Sequence, residues 1–209
     1  MIELYAVTDP PGPRLADPAV ARVLASGRLA VVYGPATGAE TSADALWRHE
    51  ELVEALMERA DVLPFRYGTR CEDEDAAAHA VQAREDELSA ALERVRGAVE
   101  LSVRVVVAEP ADLPSEDGES AADYVAAKTR ASALARAVGD AVHEPLRVLA
   151  RASHQRSTDS PSEPLRAAYL VDRDRIDEFA LAVAGLQERR PDLQLLCTGP
   201  WPPYSFTEP

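Results

Sequence analysis

The run from Val99 to Val107 leaves this chain few options. Val99, Leu101, Val103, Val105 and Val107 alternate with Glu100, Ser102 and Arg104. A period of two puts every second side chain on one face of a strand. An apolar strand face is stable only when another element covers it. The downstream sequence supplies those elements. An Ala-rich helix is expected from about Glu119 to the residue before Pro145, with Ala127, Ala131, Leu134, Val138 and Val142 as its packing face. Leu146 to Ala152 reads equally as a short strand or a continuation of that helix. Ser157 to Pro164 is a turn by composition, and Leu165, Ala167, Tyr169 and Val171 alternate as a strand. Asp172 or Asp174 then caps a helix that turns Ile176, Phe179, Ala180 and Val183 inward. Leu193, Leu195 and Cys197 mark the last strand.

From residue 98 the order is therefore βαββαβ. That is the arrangement of a ferredoxin-like split fold, an antiparallel sheet with two helices on one face. Before residue 98 the pattern predicts three strands and two helices. The strands are Ile2 to Val7, Leu29 to Tyr33 and Val62 to Tyr67. Pro64 cannot donate to a ladder, so the third strand lies at an edge or is bulged there. Ser42 or Asp44 caps a first helix whose Leu46, Val53, Leu56 and Met57 fall at helical spacing. The acids Glu72 to Asp75 open a second helical region that runs to Arg96, with Val81, Leu88, Leu92 and Val95 as its stripe, and Gly97 stops it. The fold class expected is α+β, with an N-terminal α+β domain over 1–97, a ferredoxin-like domain over 98–199 and a tail over 200–209. Glu109 to Asp123 holds six acids and no base, a connector with too little apolar surface to order itself.

Composition bounds the function. The 209 residues are 46% hydrophobic and carry a net charge of −14, the profile of a soluble globular protein with no means of displacing counterions from a phosphate backbone. Nucleic acid and anionic membrane are not expected partners. No apolar run reaches the length of a bilayer span. The two cysteines, Cys71 and Cys197, are too few for a disulfide framework or a four-cysteine metal site. With an N-terminus that lacks a basic segment and a long apolar one, they point to a reduced cytoplasmic compartment.

Chemical motifs are scarce. There is no glycine-rich dinucleotide or phosphate loop and no nucleophile elbow. His49, His79, His143 and His154 fall on different elements without ligand spacing, so no metal or other cofactor is expected. The acid pairs sit in polar runs and read as solvated helix faces. Cys71, followed by four acids, reads as an ordinary thiol. Arg66 is the one charge in the stretch Val62 to Tyr67. Its expected role is structural, tying that strand to a neighbouring helix through a Glu between 50 and 58. The alternative is an anion site formed with Arg70, which would make the protein a small-molecule enzyme or sensor on a ferredoxin-like scaffold.

The C-terminus is more informative. Pro200, Pro202 and Pro203 restrict the backbone, while Trp201, Tyr204 and Phe206 carry large apolar area. Such a segment is suited to dock, on its own domain or on a partner. Gly-Pro-Trp-Pro-Pro-Tyr-Ser-Phe at 199–206 resembles the C-terminal signature of the gas vesicle GvpF/GvpL family. Val62-Leu63-Pro64-Phe65-Arg66-Tyr67-Gly68-Thr69 resembles that family's central motif, and Tyr5 and Tyr33-Gly34 stand where the family has them. The resemblance covers the whole chain. It implies two α+β domains, the second ferredoxin-like, with the tail returning toward the first. It also implies a non-enzymatic accessory or minor structural role, with the principal gas vesicle shell protein and other accessory proteins as partners. Trp201, Tyr204 and Phe206 would then be contact or docking residues, with Arg66, Pro64 and Gly68 structural.

Overall fold

The computed structural model describes residues 1–15, 17–36, 42–107, 121–156, 160 and 162–207, the side chains of 121–124 excepted. Most of the acidic connector, Gly38, the tail's last two residues and part of the 157–164 turn lie outside the described residues. The chain divides into two compact units, Met1–Val99 with Trp201–Pro209, and Glu100–Pro200. Each is mixed α and β, with one antiparallel sheet.

In the first unit, β1 (Ile2–Thr8), β2 (Arg22–Ser26), β3 (Leu29–Pro35) and β4 (Val62–Pro64) lie in the order β2-β3-β1-β4, and the short β5 (Arg70–Cys71) also pairs with β1. Leu4 to Val7 and Leu29 to Tyr33 are continuous apolar runs, and all are buried. Strands covered on both faces need that composition rather than alternation. β4 ends the order, the position that Pro64 requires. Three helices, α1 (Ala43–Met57), α2 (Glu74–Ala83) and α3 (Glu85–Val95), cover the sheet. The Ser42 hydroxyl caps α1 by accepting from the Ala45 amide at 3.2 Å, and Asp73 caps α2 by accepting from Ala76 at 2.8 Å.

Four expectations change here. The unit has five strands among the described residues where three are expected, β2 and β5 being the additions. Residues 72–96 are not one helix, because the chain breaks at Arg84 (φ −119, ψ 21). The break lets Glu85 accept from the Arg28 amide and Asp86 from its guanidinium, both in the turn between β2 and β3. Leu46 is 41% exposed, and the buried row of α1 is Ala45, His49, Val53, Leu56 and Met57. The third strand stops at Pro64 rather than running to Tyr67.

In the second unit, β6 (Ala98–Val107), β7 (Ala152–Arg156), β8 (Leu165–Asp172) and β9 (Leu193–Trp201) lie in the order β7-β8-β6-β9. α4 (Ala121–Arg147) separates β6 from β7, and α5 (Ile176–Arg189) separates β8 from β9. The alternating residues Leu101, Val103 and Val105 meet Leu165, Ala167, Tyr169 and Val171 in one core with Val142, Leu146, Phe179, Val183 and Leu186. α4 continues past Pro145, although proline removes one helical hydrogen bond. Full burial of Leu146 holds that last turn in place. Leu134 is 68% exposed and Ala180 is exposed, so neither faces the core as expected. Neither Asp172 nor Asp174 caps α5, whose N-terminal position is Arg175 with no side-chain cap.

Candidate functional site

The best-built polar feature of the first unit lies under α1. His49 is fully buried on the core side of that helix, and its Nδ1 lies 2.9 Å from Glu3 Oε1 of β1. Its Nε2 lies 3.0 Å from the carbonyl oxygen of Phe65. A carbonyl only accepts, so Nε2 carries a proton and donates. Nδ1 and Oε1 must then hold one further proton between them. Tyr5 and Tyr67 close the pair in, with ring centroids 5.2 Å and 5.6 Å from that of His49. Burying these groups is tolerable only because each is hydrogen-bonded.

Above this floor, between β1 and one flank of α1, a cavity of about 240 Å³ opens to the surface. Glu3, Tyr5 and His49 line it together with Ala19, Val20, Pro35, Ala45, Arg48 and Leu52. Gly34 of β3 makes room beside it. A Cβ there would lie 2.3 Å from the Val20 carbonyl oxygen and 3.0 Å from the Tyr5 ring.

The other flank of α1 carries Glu50 and Glu54, and Tyr204 lies beside them. Burial, and then those two carboxylates, push the Tyr204 phenol well above its ordinary range. Pro202, Pro203 and Phe206 are buried, whereas Trp201 keeps 40% of its surface exposed. Phe206 sits in a short 3₁₀ turn (Tyr204–Phe206), with its amide donating to the Pro203 carbonyl at 3.1 Å. Arg94 of α3 reaches the Phe206 carbonyl at 3.5 Å.

The other residues named from sequence are more scattered. Arg66 is exposed rather than buried in a strand, because the strand has ended two residues earlier, and its carbonyl accepts from the Thr69 amide and hydroxyl. Gly68 has φ +84, a conformation costly for other residues. Arg70 stands opposite Glu3 in the β1–β5 pair, and its Nε, like the Tyr67 hydroxyl, is buried without a hydrogen-bond partner among the described residues. The cavity is lined by neither Arg66 nor Arg70. Burial, reinforced at Cys71 by Asp73, raises both thiols above their ordinary range. Among the described residues no three His, Cys, Asp or Glu side chains converge as a metal site would require. No helix among them is long and apolar enough to cross a membrane. In the sequence His49 stands only as a rejected metal-ligand candidate and Glu3 carries no signal, because the role of each shows only once β1 and α1 are packed together. His49 falls four residues after Ala45 and four before Val53.

Residues 3–208 match the model of the family described as gas vesicle synthesis protein GvpL/GvpF. The chain is 33% identical over 188 residues to gas vesicle protein L of Streptomyces sp. (strain CB03234), covering 78% of this chain and 69% of that one. It is 28% identical over 232 residues to gas vesicle protein F of the same strain, covering 99% and 92%. Its fold is similar to the crystal structure of GvpF from Microcystis aeruginosa (TM-score 0.80, 15% identity, 100% and 99% covered). The structure of GvpF from Anabaena sp. PCC7120 is similar too (TM-score 0.83, 16% identity, 100% and 98% covered).

Proposed function

Because the chain belongs to the gas vesicle synthesis protein GvpL/GvpF family, we propose that it is a non-enzymatic accessory protein of gas vesicle assembly. It acts in the cytoplasm and at the vesicle by binding the principal shell protein and other accessory proteins. The family match over residues 3–208 carries this reading. Exposed apolar surface on a strongly acidic chain supports it: Trp47 is 67% exposed, Trp201 40% and Val20 51%. A chain of net charge −14 can cover an apolar partner and keep the complex in solution.

We read the sheet order β7-β8-β6-β9 with its two crossover helices as ferredoxin-like. We read 200–209 as a tail docked on the first domain, with Tyr204 and Phe206 as its anchors and Trp201 left for a partner. The domains are then those expected from sequence, 1–97 and 98–199, and Arg66, Pro64 and Gly68 shape the loop that leaves β4.

The test is capture of purified shell protein by intact protein and by Trp201→Ala. Saturable capture by the intact protein, weakened in the variant while both melt alike, supports the reading. No capture by folded intact protein refutes the shell-binding role. A second reading, an anion site between Arg66 of the loop after β4 and Arg70 of β5, has in its favour the Arg70 Nε and Tyr67 hydroxyl, buried without a hydrogen-bond partner among the described residues. Titration with inorganic phosphate, followed at those two residues, decides it.

A further inference from the structure

One residue carries the uncompensated charge that lines the cavity beside α1. Glu3 and His49 form its floor, and that pair is net neutral: one imidazole proton is donated to Phe65, and a single further proton is shared between Nδ1 and Oε1. Arg48 lines the cavity from an exposed position and, among the described residues, makes no hydrogen bond or ion pair. Asp44 and Glu51, exposed on the same helix, do not line it. A free guanidinium beside an apolar cavity is complementary to a carboxylate attached to an apolar group.

The shape favours a polypeptide over a free small molecule. At about 240 Å³ the cavity is smaller than the roughly 300–1,000 Å³ of a small-molecule site, and it fits one large side chain. Ala19, Val20 and Pro35 line it and are all exposed, Val20 by 51%. A segment of chain lying across them would take that apolar surface out of water, which a ligand held wholly inside would not. The net charge of −14 opposes an anion at long range, but at physiological salt exposed charges beyond about 8 Å are largely screened. Arg48 then sets the sign of the contact, and Asp44 and Glu51 keep the gain small.

We propose that this cavity seats one large apolar side chain of a partner protein, with a carboxylate from an adjacent residue of the same segment on Arg48. The proposal rests on the reading that the protein holds other gas vesicle proteins, and it names the place and the chemistry of one such contact.

The test titrates the full chain, isotopically labelled and at physiological salt, with Ac-Phe-Asp-NH2, its near-isosteric neutral form Ac-Phe-Asn-NH2, and Ac-Ala-Asp-NH2. Saturable amide shifts are expected at Ala19, Val20, Ala45 and Leu52. The asparagine peptide should bind about two- to fivefold more weakly, the range of an exposed ion pair, and the alanine peptide about tenfold more weakly. Arg48→Gln should bring the aspartate peptide down to the asparagine one without changing the latter, and Arg48→Lys should keep part of the preference. Because Arg48 is exposed and unpaired, both variants should melt like the unaltered protein. Shifts that never saturate, equal binding of the aspartate and asparagine peptides, or a preference that survives Arg48→Gln would each overturn the proposal. Shell protein captured by a chain that saturates with no peptide overturns it too, and leaves the accessory role standing. Peptides bound as expected with no shell protein captured keep the cavity contact and refute the shell-binding role.

Discussion

Removing either member of the Glu3–His49 pair should cost the first unit far more than removing both. Each side chain is nearly inaccessible, at 3% and 1% of its surface. Replacing one leaves the other as an uncompensated polar or charged group with no water to turn to, a loss of about 3–5 kcal/mol. Glu3→Leu would strand the imidazole Nδ1. His49→Leu would strand the carboxylate and also leave the Phe65 carbonyl without its donor. The double variant strands neither group of the pair and keeps only the unpaired carbonyl, worth about 1–3 kcal/mol. The three values therefore cannot add, and the coupling should reach at least about 2 kcal/mol.

The assay is urea unfolding followed by tryptophan fluorescence. The chain has two tryptophans; Trp47 lies on α1, and Trp201, although it ends β9, groups with the first unit by its contacts, so the signal reports chiefly that unit. If the double variant falls by the sum of the single losses, the pair is not coupled and the hydrogen-bond reading of this site fails. If each single loss is under about 1 kcal/mol, the site is wetter than its burial implies.

The tail and the second unit offer three further tests. Phe206→Ala should destabilise the first unit by about 3 kcal/mol in the same urea assay, because it empties a nearly closed site; Trp201→Ala should leave the midpoint within about 0.5 kcal/mol. Gly139→Ala on α4 should lower the circular dichroism melting temperature despite about 1 kcal/mol of better helix propensity. A Cβ there would lie 2.3 Å from the Pro164 carbonyl oxygen, and relieving that clash costs more. Burial, chiefly, holds His143 below its ordinary value of 6.5, so as pH falls below about 6.5 the unfolded chain takes up a proton first and the second unit loses stability. Melts at pH 7 and pH 5.5 should show this loss, and His143→Gln should lack that part of it.

What could be read in the sequence followed from local periodicity. β6 alternates over Leu101–Val105, the pattern of a strand with one covered face; β8 is buried without a break from Ala167 to Val171, and β1 and β3 are solid apolar runs because both faces are covered. Where the deciding contact is distant in sequence, local pattern fails. Nothing near Arg84 requires a helix break, since the reason lies at Arg28 in the turn between β2 and β3. β2 itself, Arg22–Ser26, is half exposed and has no period to betray it. On α4 the buried row runs Ala135, Gly139, Val142 and Leu146, centred where the missing side chain of Gly139 admits the Pro164 carbonyl. Leu134 lies about 100° from Ala135 on the helix and falls off that row. His49 was hidden by residue type: a histidine on an apolar row reveals its role only once Glu3 of β1 is brought beneath it.

α1 itself ties these features together. Arg48 and Leu52 sit one turn apart on the cavity side, and Glu50 and Glu54 sit one turn apart beside Tyr204. The two pairs are offset by two residues, about 200° of helix rotation, so they face almost opposite ways with the Glu3–His49 pair between them. On the proposed docking, a tail held on one flank fixes the helix without occupying the other. Loss of the tail should then disturb the cavity only to the extent that it loosens α1, and the buried pair limits that loosening. Deleting residues 200–209 should therefore lower the urea midpoint of the first unit and shift the amide resonances of Glu50 and Glu54, while leaving those of Ala19, Arg48 and Leu52 nearly unchanged in the absence of urea. Comparable shifts in both sets would mean that tail and cavity form one surface, and that α1 does not separate them.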